Sequence, residues 1–113
     1  MPMSDRDGSI IRHILEYCGE IKETVLRFGD SYEAFAGDKI YRNAVTMCIL
    51  QIGELAGKLS EEFVEEHKQI PWRSIKAMRN VAAHSYGTIS IPTVWDTIKC
   101  DIPELREDCE KLI

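Results

Sequence analysis

The chain has 113 residues, 44% hydrophobic and 29% charged, with a formal net charge of −5. That length suits one domain, residues 1–113, with a real apolar core; no apolar run approaches the roughly 20 residues that span a bilayer and no signal peptide opens the chain, so a cytoplasmic globular protein is expected. The acidic balance excludes a general, sequence-indifferent nucleic-acid coat and leaves room for a small basic cleft.

Ile10, Ile11, Ile14, Leu15, Cys18, Ile21, Val25 and Phe28 recur at three- and four-residue steps against Arg12, Glu16, Glu20 and Glu23, which predicts a long amphipathic first helix. Ser4 or Asp5 caps its start, and Gly29-Asp30-Ser31 ends it. A short turn of helix covers Tyr32 to Phe35. Asp38 caps a second long helix, whose inward stripe reads as Ile40, Ala44, Met47, Cys48, Gln51, Ile52, Leu55 and Leu59. Gly53 and Gly57, four apart, share a face on which another helix can come close.

Ser60, followed by Glu61 and Glu62, opens a short helix to about Lys68. Pro71 starts the next helix where its missing amide is not needed, with Trp72, Ile75, Met78 and Ala82 inward and Gly87 near its end. Ser90 and Pro92 open a last stretch through Leu112, which Pro103 must kink or restart, with Asp101 capping the restart. No segment alternates with period two, so the expected fold is all-α, an antiparallel bundle of four to six helices.

Arg79-Asn80-Val81-Ala82-Ala83-His84-Ser85-Tyr86 gathers a permanent cation, an amide, an imidazole and a phenol. Arginine grips phosphate oxygens in two-pronged fashion, and histidine can take or return a proton near neutral pH, which suits phosphodiester chemistry without a metal. Between Glu66 and Asp96 there is no acid, while Lys68, Arg73, Lys76 and Arg79 fall there, so one locally positive segment stands in an acidic chain. On a continuous helix Arg79 and His84 lie about 140° apart around the axis and roughly 7.5 Å along it. Asn80 and His84, four apart, share a stripe, so the amide can fix the imidazole tautomer. Two copies meeting across a two-fold axis would pool two arginines and two histidines.

A plainer reading makes Arg79 a surface cation, His84 a residue favoured by the helix dipole, and Tyr86 an anchor. Glu54 reads as an ion-pair partner of Arg79 or Arg42, or as a surface carboxylate. Arg73 and Lys76 read either as contacts to backbone phosphates of a nucleic acid or as solvated cations. His13 and His67 lie on polar faces. Cys18, Cys48, Cys100 and Cys109 form no C-x-x-C pair, so no zinc site, other metal, cofactor or disulfide framework is expected, and the thiols are read as reduced and mostly in the core.

Pro71-Trp72-Arg73 through Met78-Arg79-Asn80 and Ala83-His84-Ser85-Tyr86 resemble the R-x-x-x-x-H-x-Y block of HepT-like proteins in the HEPN superfamily. Tyr41-Arg42-Asn43-Ala44, Ile52-Gly53-Glu54-Leu55-Ala56, Trp95 and Asp101-Ile102-Pro103-Glu104-Leu105 extend the resemblance over most of the chain. It implies a helical homodimer that is the toxin of a toxin–antitoxin pair, a metal-independent endoribonuclease with RNA as substrate. It also implies a minimal nucleotidyltransferase as antitoxin. By position, Arg79 and His84 would be the catalytic pair, Asn80 a polar supporter, and Tyr86 the tyrosine modified with AMP. A non-catalytic helical module that binds a nucleotide or recruits a nucleotidyltransferase is the alternative. A nucleotidyltransferase itself is excluded, because the sole D-x-D is Asp5-Arg6-Asp7, with no Gly-Ser turn before it.

Overall fold

The computed structural model describes residues 4–85 and 91–113, and the side chains of all of these except 81–85. The described residues form helix α1 (Asp5–Phe28), α2 (Tyr32–Gly37), α3 (Lys39–Ala56), α4 (Glu61–Glu66), α5 (Trp72–Ser85), α6 (Ile91–Asp96) and α7 (Ile102–Glu110). A π-helical turn, Thr97–Asp101, joins α6 to α7 without a break, so these two count as one rod and the bundle as six. There is no strand among the described residues, and the all-α expectation holds. No helix among them is long and apolar enough to cross a membrane.

The helix starts follow the capping chemistry of the sequence. Ser4 accepts the Asp7 amide, Asp38 accepts those of Ile40 and Tyr41, and Ser60 accepts that of Phe63. Gly29 ends α1 at φ 120°, a backbone angle that favours glycine, and its amide bonds the Val25 carbonyl. Ser31 caps α2 through the Ala34 amide, a cap the sequence reading assigned only to the end of the first helix, and α2 runs two residues past Phe35.

Neighbouring helices run antiparallel, as their cross-contacts show. Moving back along α1 and forward along the second long helix, Gly29 meets Tyr41, Glu20 meets Cys48, and Asp7 meets Ser60. The same opposed order joins α3 to α5, where Gly53 meets Arg79 and Gly57 meets Lys76. Ile11, Ile14, Cys18, Ile21, Phe35, Tyr41, Val45, Ile49, Ile52, Val94 and Cys109 make up the most deeply buried part of one shared core. The Tyr41 hydroxyl satisfies itself there by donating to the Gly29 carbonyl at 3.0 Å. Burial, helped by the Asp30 charge, raises its pKa and keeps it a neutral donor. Burial likewise pushes the thiols of Cys18, Cys48 and Cys109 up to about 12, while Cys100 is exposed.

Three expectations change. The inward stripe of α3 is Tyr41, Val45, Cys48, Ile49, Ile52 and Ala56, whereas Ile40 is 70% and Met47 48% exposed, and Ala44 is exposed too. Asp101 caps nothing: its backbone is already helical (φ −72°, ψ −42°), and a side chain there cannot fold back onto the next turn's amides. The chain absorbs Pro103 instead by widening the preceding turn, with the Ile102 amide reaching back five residues to Thr97. Leu59 is buried but lies beyond the end of α3. Gly87 and Ser90, read as helix punctuation, lie outside the described residues.

A buried carboxylate also escaped the sequence reading. Asp7, 4% exposed, ties the start of α1 to the start of α4. Its Oδ1 accepts the Ser60 amide at 3.0 Å, and its Oδ2 accepts the hydroxyls of Ser60 at 2.7 Å and Ser4 at 2.9 Å. Burial by itself would raise its pKa, but these bonds from Ser60 and Ser4 outweigh it and leave the carboxyl below its ordinary value.

Candidate active site on the seam between α3 and α5

The motif helix α5 is placed from its N-terminal end. Pro71 supplies the carbonyl that receives the Ile75 amide at 3.0 Å, and Trp72, Ile75 and Met78 turn inward at three-residue steps. This inward face draws the α5 backbone onto α3 at Gly53. A Cβ built on Gly53 would stand 2.8 Å from the Arg79 amide nitrogen, 3.0 Å from its Cβ and 3.2 Å from its Cα. Hydrogen is thus the largest group that fits, and the close approach read from the Gly53 and Gly57 spacing is centred on Arg79 itself.

From that contact the Arg79 side chain meets Glu54, one residue on from Gly53, and the Arg79 Nε pairs with the Glu54 Oε1. The pair sits at the surface, with Arg79 60% and Glu54 39% exposed, so Glu54 is partnered but not buried. An ion pair this wet contributes at most about 1 kcal/mol to stability. Its geometric effect is larger. Nε is one corner of a rigid fork, so holding it with a carboxylate orients the two terminal nitrogens, which are the groups that grip an anion. Arg42, the other partner considered for Glu54, instead donates to the Ala36 carbonyl at the end of α2.

Arg73, Lys76 and Asn80 are exposed on α5. Steps of three and four put them on one flank of the helix. Among the described residues neither Arg73 nor Lys76 joins an ion pair, whereas Lys68 pairs with Glu65 at 3.0 Å. His84 belongs to α5, four positions after Asn80, but its side chain lies outside the described residues, as does Tyr86 altogether. His13 lies elsewhere, its Nδ1 2.7 Å from the Ser9 carbonyl, and the His67 ring lies tilted against Phe63, with centroids 4.5 Å apart. Among the described residues no three His, Cys, Asp or Glu side chains gather as they would around a metal ion. The seam therefore offers an oriented guanidinium flanked by two further cations and an amide.

The family that matches this chain, over residues 14–112, is described as ribonuclease HepT-like. A provisionally named RNase of Methanocaldococcus jannaschii is 34% identical over 112 residues, covering 98% of this chain and 91% of its own. One of Caldanaerobacter subterraneus is 33% identical over 103 residues, covering 91% and 90%. A protein of Thermococcus cleftensis, provisionally named ribonuclease HepT, is 36% identical over 81 residues, covering 72% and 74%. No solved structure matches the chain. With the family matched over residues 14–112 and relatives this similar over most of their length, the protein belongs to the ribonuclease HepT-like family.

Proposed function

We propose that this protein is a metal-independent endoribonuclease, one domain over residues 1–113, and the toxin of a toxin–antitoxin pair acting on RNA in the cytoplasm. The observation that carries the reading is the orientation of Arg79: its backbone is seated on Gly53 and its Nε held by Glu54, in a chain of a ribonuclease family. His84 follows five residues later on the same helix.

In this reading His84 takes the proton of a ribose 2′-hydroxyl, and the oxygen attacks the adjacent phosphorus. Charge builds on the non-bridging oxygens, where the terminal nitrogens of Arg79 meet it. The bond to the 5′-oxygen breaks, an acid protonates that oxygen, and the products are a 2′,3′-cyclic phosphate and a 5′-hydroxyl. Asn80 supports the imidazole, Glu54 positions Arg79, and Arg73 and Lys76 contact neighbouring phosphates.

His84 of a second copy supplies the acid. The exposed flank of α3 supports such a homodimer, because Ile40, Ala44, Met47 and Gln51 follow at alternating four- and three-residue steps without a charge. That stripe leads to Glu54, so a copy packed on it would reach the seam. The antitoxin is a minimal nucleotidyltransferase that transfers AMP to Tyr86. A phosphodiester added there sets bulk and negative charge near the cations that RNA needs.

Cleavage of a defined single-stranded RNA by the unmodified protein in EDTA, beside His84→Ala, tests the reading. Cyclic-phosphate ends lost in the variant are the expected result. A requirement for a divalent metal overturns the mechanism, and no cleavage by either folded protein turns the assignment to a non-catalytic binding module.

A further inference from the structure

Lys39 and Asn43, and Arg42 and Thr46, are pairs four apart on α3, and together they form a flank separate from the exposed Ile40–Met47 stripe. With Phe35 and Val94 they line a recess of about 120 Å³ where α3 passes the start of α6. That is room enough for a phosphate group.

The recess also has the chemistry of a phosphate site. An ammonium, a guanidinium, an amide and a hydroxyl line it, and among the described lining residues there is no carboxylate. The groove between α5 and α7, by contrast, carries Asp101, Glu104 and Asp108. Among the described residues neither Lys39 nor Arg42 takes part in an ion pair, although the chain has 19 acids and 14 bases. The nearest acid in sequence, Asp38, is engaged with the Ile40 and Tyr41 amides. Arg42 is fixed by the Ala36 carbonyl, a bond that takes one of its five N–H groups.

Position links the recess to the seam. Asn43 precedes Gly53, the seat of Arg79, by ten residues of α3, or about 15 Å. Because α3 and α5 are antiparallel, the recess lies toward the C-terminal end of the motif helix. A strand laid along the seam past Arg79 is carried toward it.

We infer that the recess is a phosphate subsite for the RNA strand, gripping a backbone phosphate about 15 Å from the one at Arg79. The inference rests on the ribonuclease reading and names how that site holds a longer substrate. The test is the affinity of a fluorescein-labelled RNA octanucleotide, measured by anisotropy at several KCl concentrations in a His84→Ala background. Lys39 is exposed and takes part in no ion pair among the described residues, and Lys39→Glu adds an acid where a helix start favours one. Lys22→Glu, on α1, makes the same change of net charge away from the seam.

Lys39→Glu is expected to weaken the octanucleotide about fivefold and to make the slope of log affinity against log salt shallower by about 0.7, one phosphate contact on a single strand. Arg42→Gln is expected to act in the same direction, and Lys22→Glu to do neither. Equal effects of Lys39→Glu and Lys22→Glu, or an unchanged salt slope, overturn the subsite. So does loss of AMP binding with octanucleotide affinity intact, which marks a mononucleotide site. If the His84-containing protein cleaves no RNA while Lys39 still governs octanucleotide affinity, the ribonuclease reading fails and the subsite stands.

Discussion

Replacing Gly53 with alanine tests whether α5, and Arg79 with it, is positioned by the close approach to α3. The new Cβ would meet the Arg79 nitrogen at 2.8 Å, its Cβ at 3.0 Å and its Cα at 3.2 Å. All three belong to the backbone or the root of the side chain, so no flexible tip can swing aside. Restoring ordinary contact, near 3.6 Å, requires the helices to part by about 0.8 Å at this level. Overpacking of this kind costs about 2–3 kcal/mol. Alanine in place of glycine inside a helix returns about 0.5–1 kcal/mol. The net loss is about 1–2.5 kcal/mol, or a fall of about 4–10 °C in Tm for a chain of this size. Gly19 on α1 supplies the control, since a Cβ there meets nothing within 4 Å, and Gly19→Ala is expected to raise Tm. Circular dichroism melts read both. Because Arg79 is the residue displaced, RNA cleavage by Gly53→Ala is expected to fall on the order of a hundredfold at a temperature where the variant is folded. Stability and cleavage both equal to the parent protein would refute the account of the seam.

Glu54→Gln removes the charge that holds Nε of Arg79 in an exposed pair, so Tm is expected to move by less than about 4 °C, within the 1 kcal/mol that such pairs contribute, while kcat falls about tenfold and KM changes little. A higher kcat would mean that Glu54 competes with RNA for Arg79. Asp7→Asn is expected to cost about 1–3 kcal/mol in urea denaturation at pH 7, because the charged acceptor of three bonds from Ser4 and Ser60 is lost. The pH dependence has a fixed sign. The folded pKa of Asp7 is depressed by those bonds against the opposing effect of burial, so its contribution is full above the ordinary aspartate range and is lost as pH falls through the folded value. The gap between parent and variant should therefore close below about pH 4; a gap that stays constant with pH would place the effect in packing.

The parts of the fold that were legible in the sequence are those fixed within one turn of chain. Ser4, Asp38 and Ser60 can each bond an amide two or three residues on, and Gly29 can adopt φ 120°, so the helix boundaries follow from local chemistry. What failed was decided by neighbours. The α3 helix carries apolar residues around much of its circumference, and periodicity alone cannot say which of two adjoining stripes meets α1 and α5. Tyr41 decides it: a phenol is as suited to the surface as to the core until the Gly29 carbonyl, a turn and a short helix earlier in the chain, receives its hydroxyl. Asp7 escaped for the same reason, since its partner Ser60 lies 53 residues away.

The site was legible to a different degree. The Gly53–Gly57 spacing marks a close helix crossing, and Glu54 beside it was already a candidate partner of Arg79. No feature of either helix taken alone says that the crossing is centred on Arg79, which depends on the register in which the Trp72, Ile75 and Met78 face settles on α3. Once that register is set, Gly53 and Glu54 act together. The glycine admits the arginine's backbone and the next side chain holds its Nε, so two adjacent residues of α3 fix both the root and the head of the cation. A cation placed at both ends gives up little further conformational entropy when it grips a phosphate. Lysine at position 79 would have no Nε fork for Glu54 to orient, and the same crossing would then deliver only a mobile point charge.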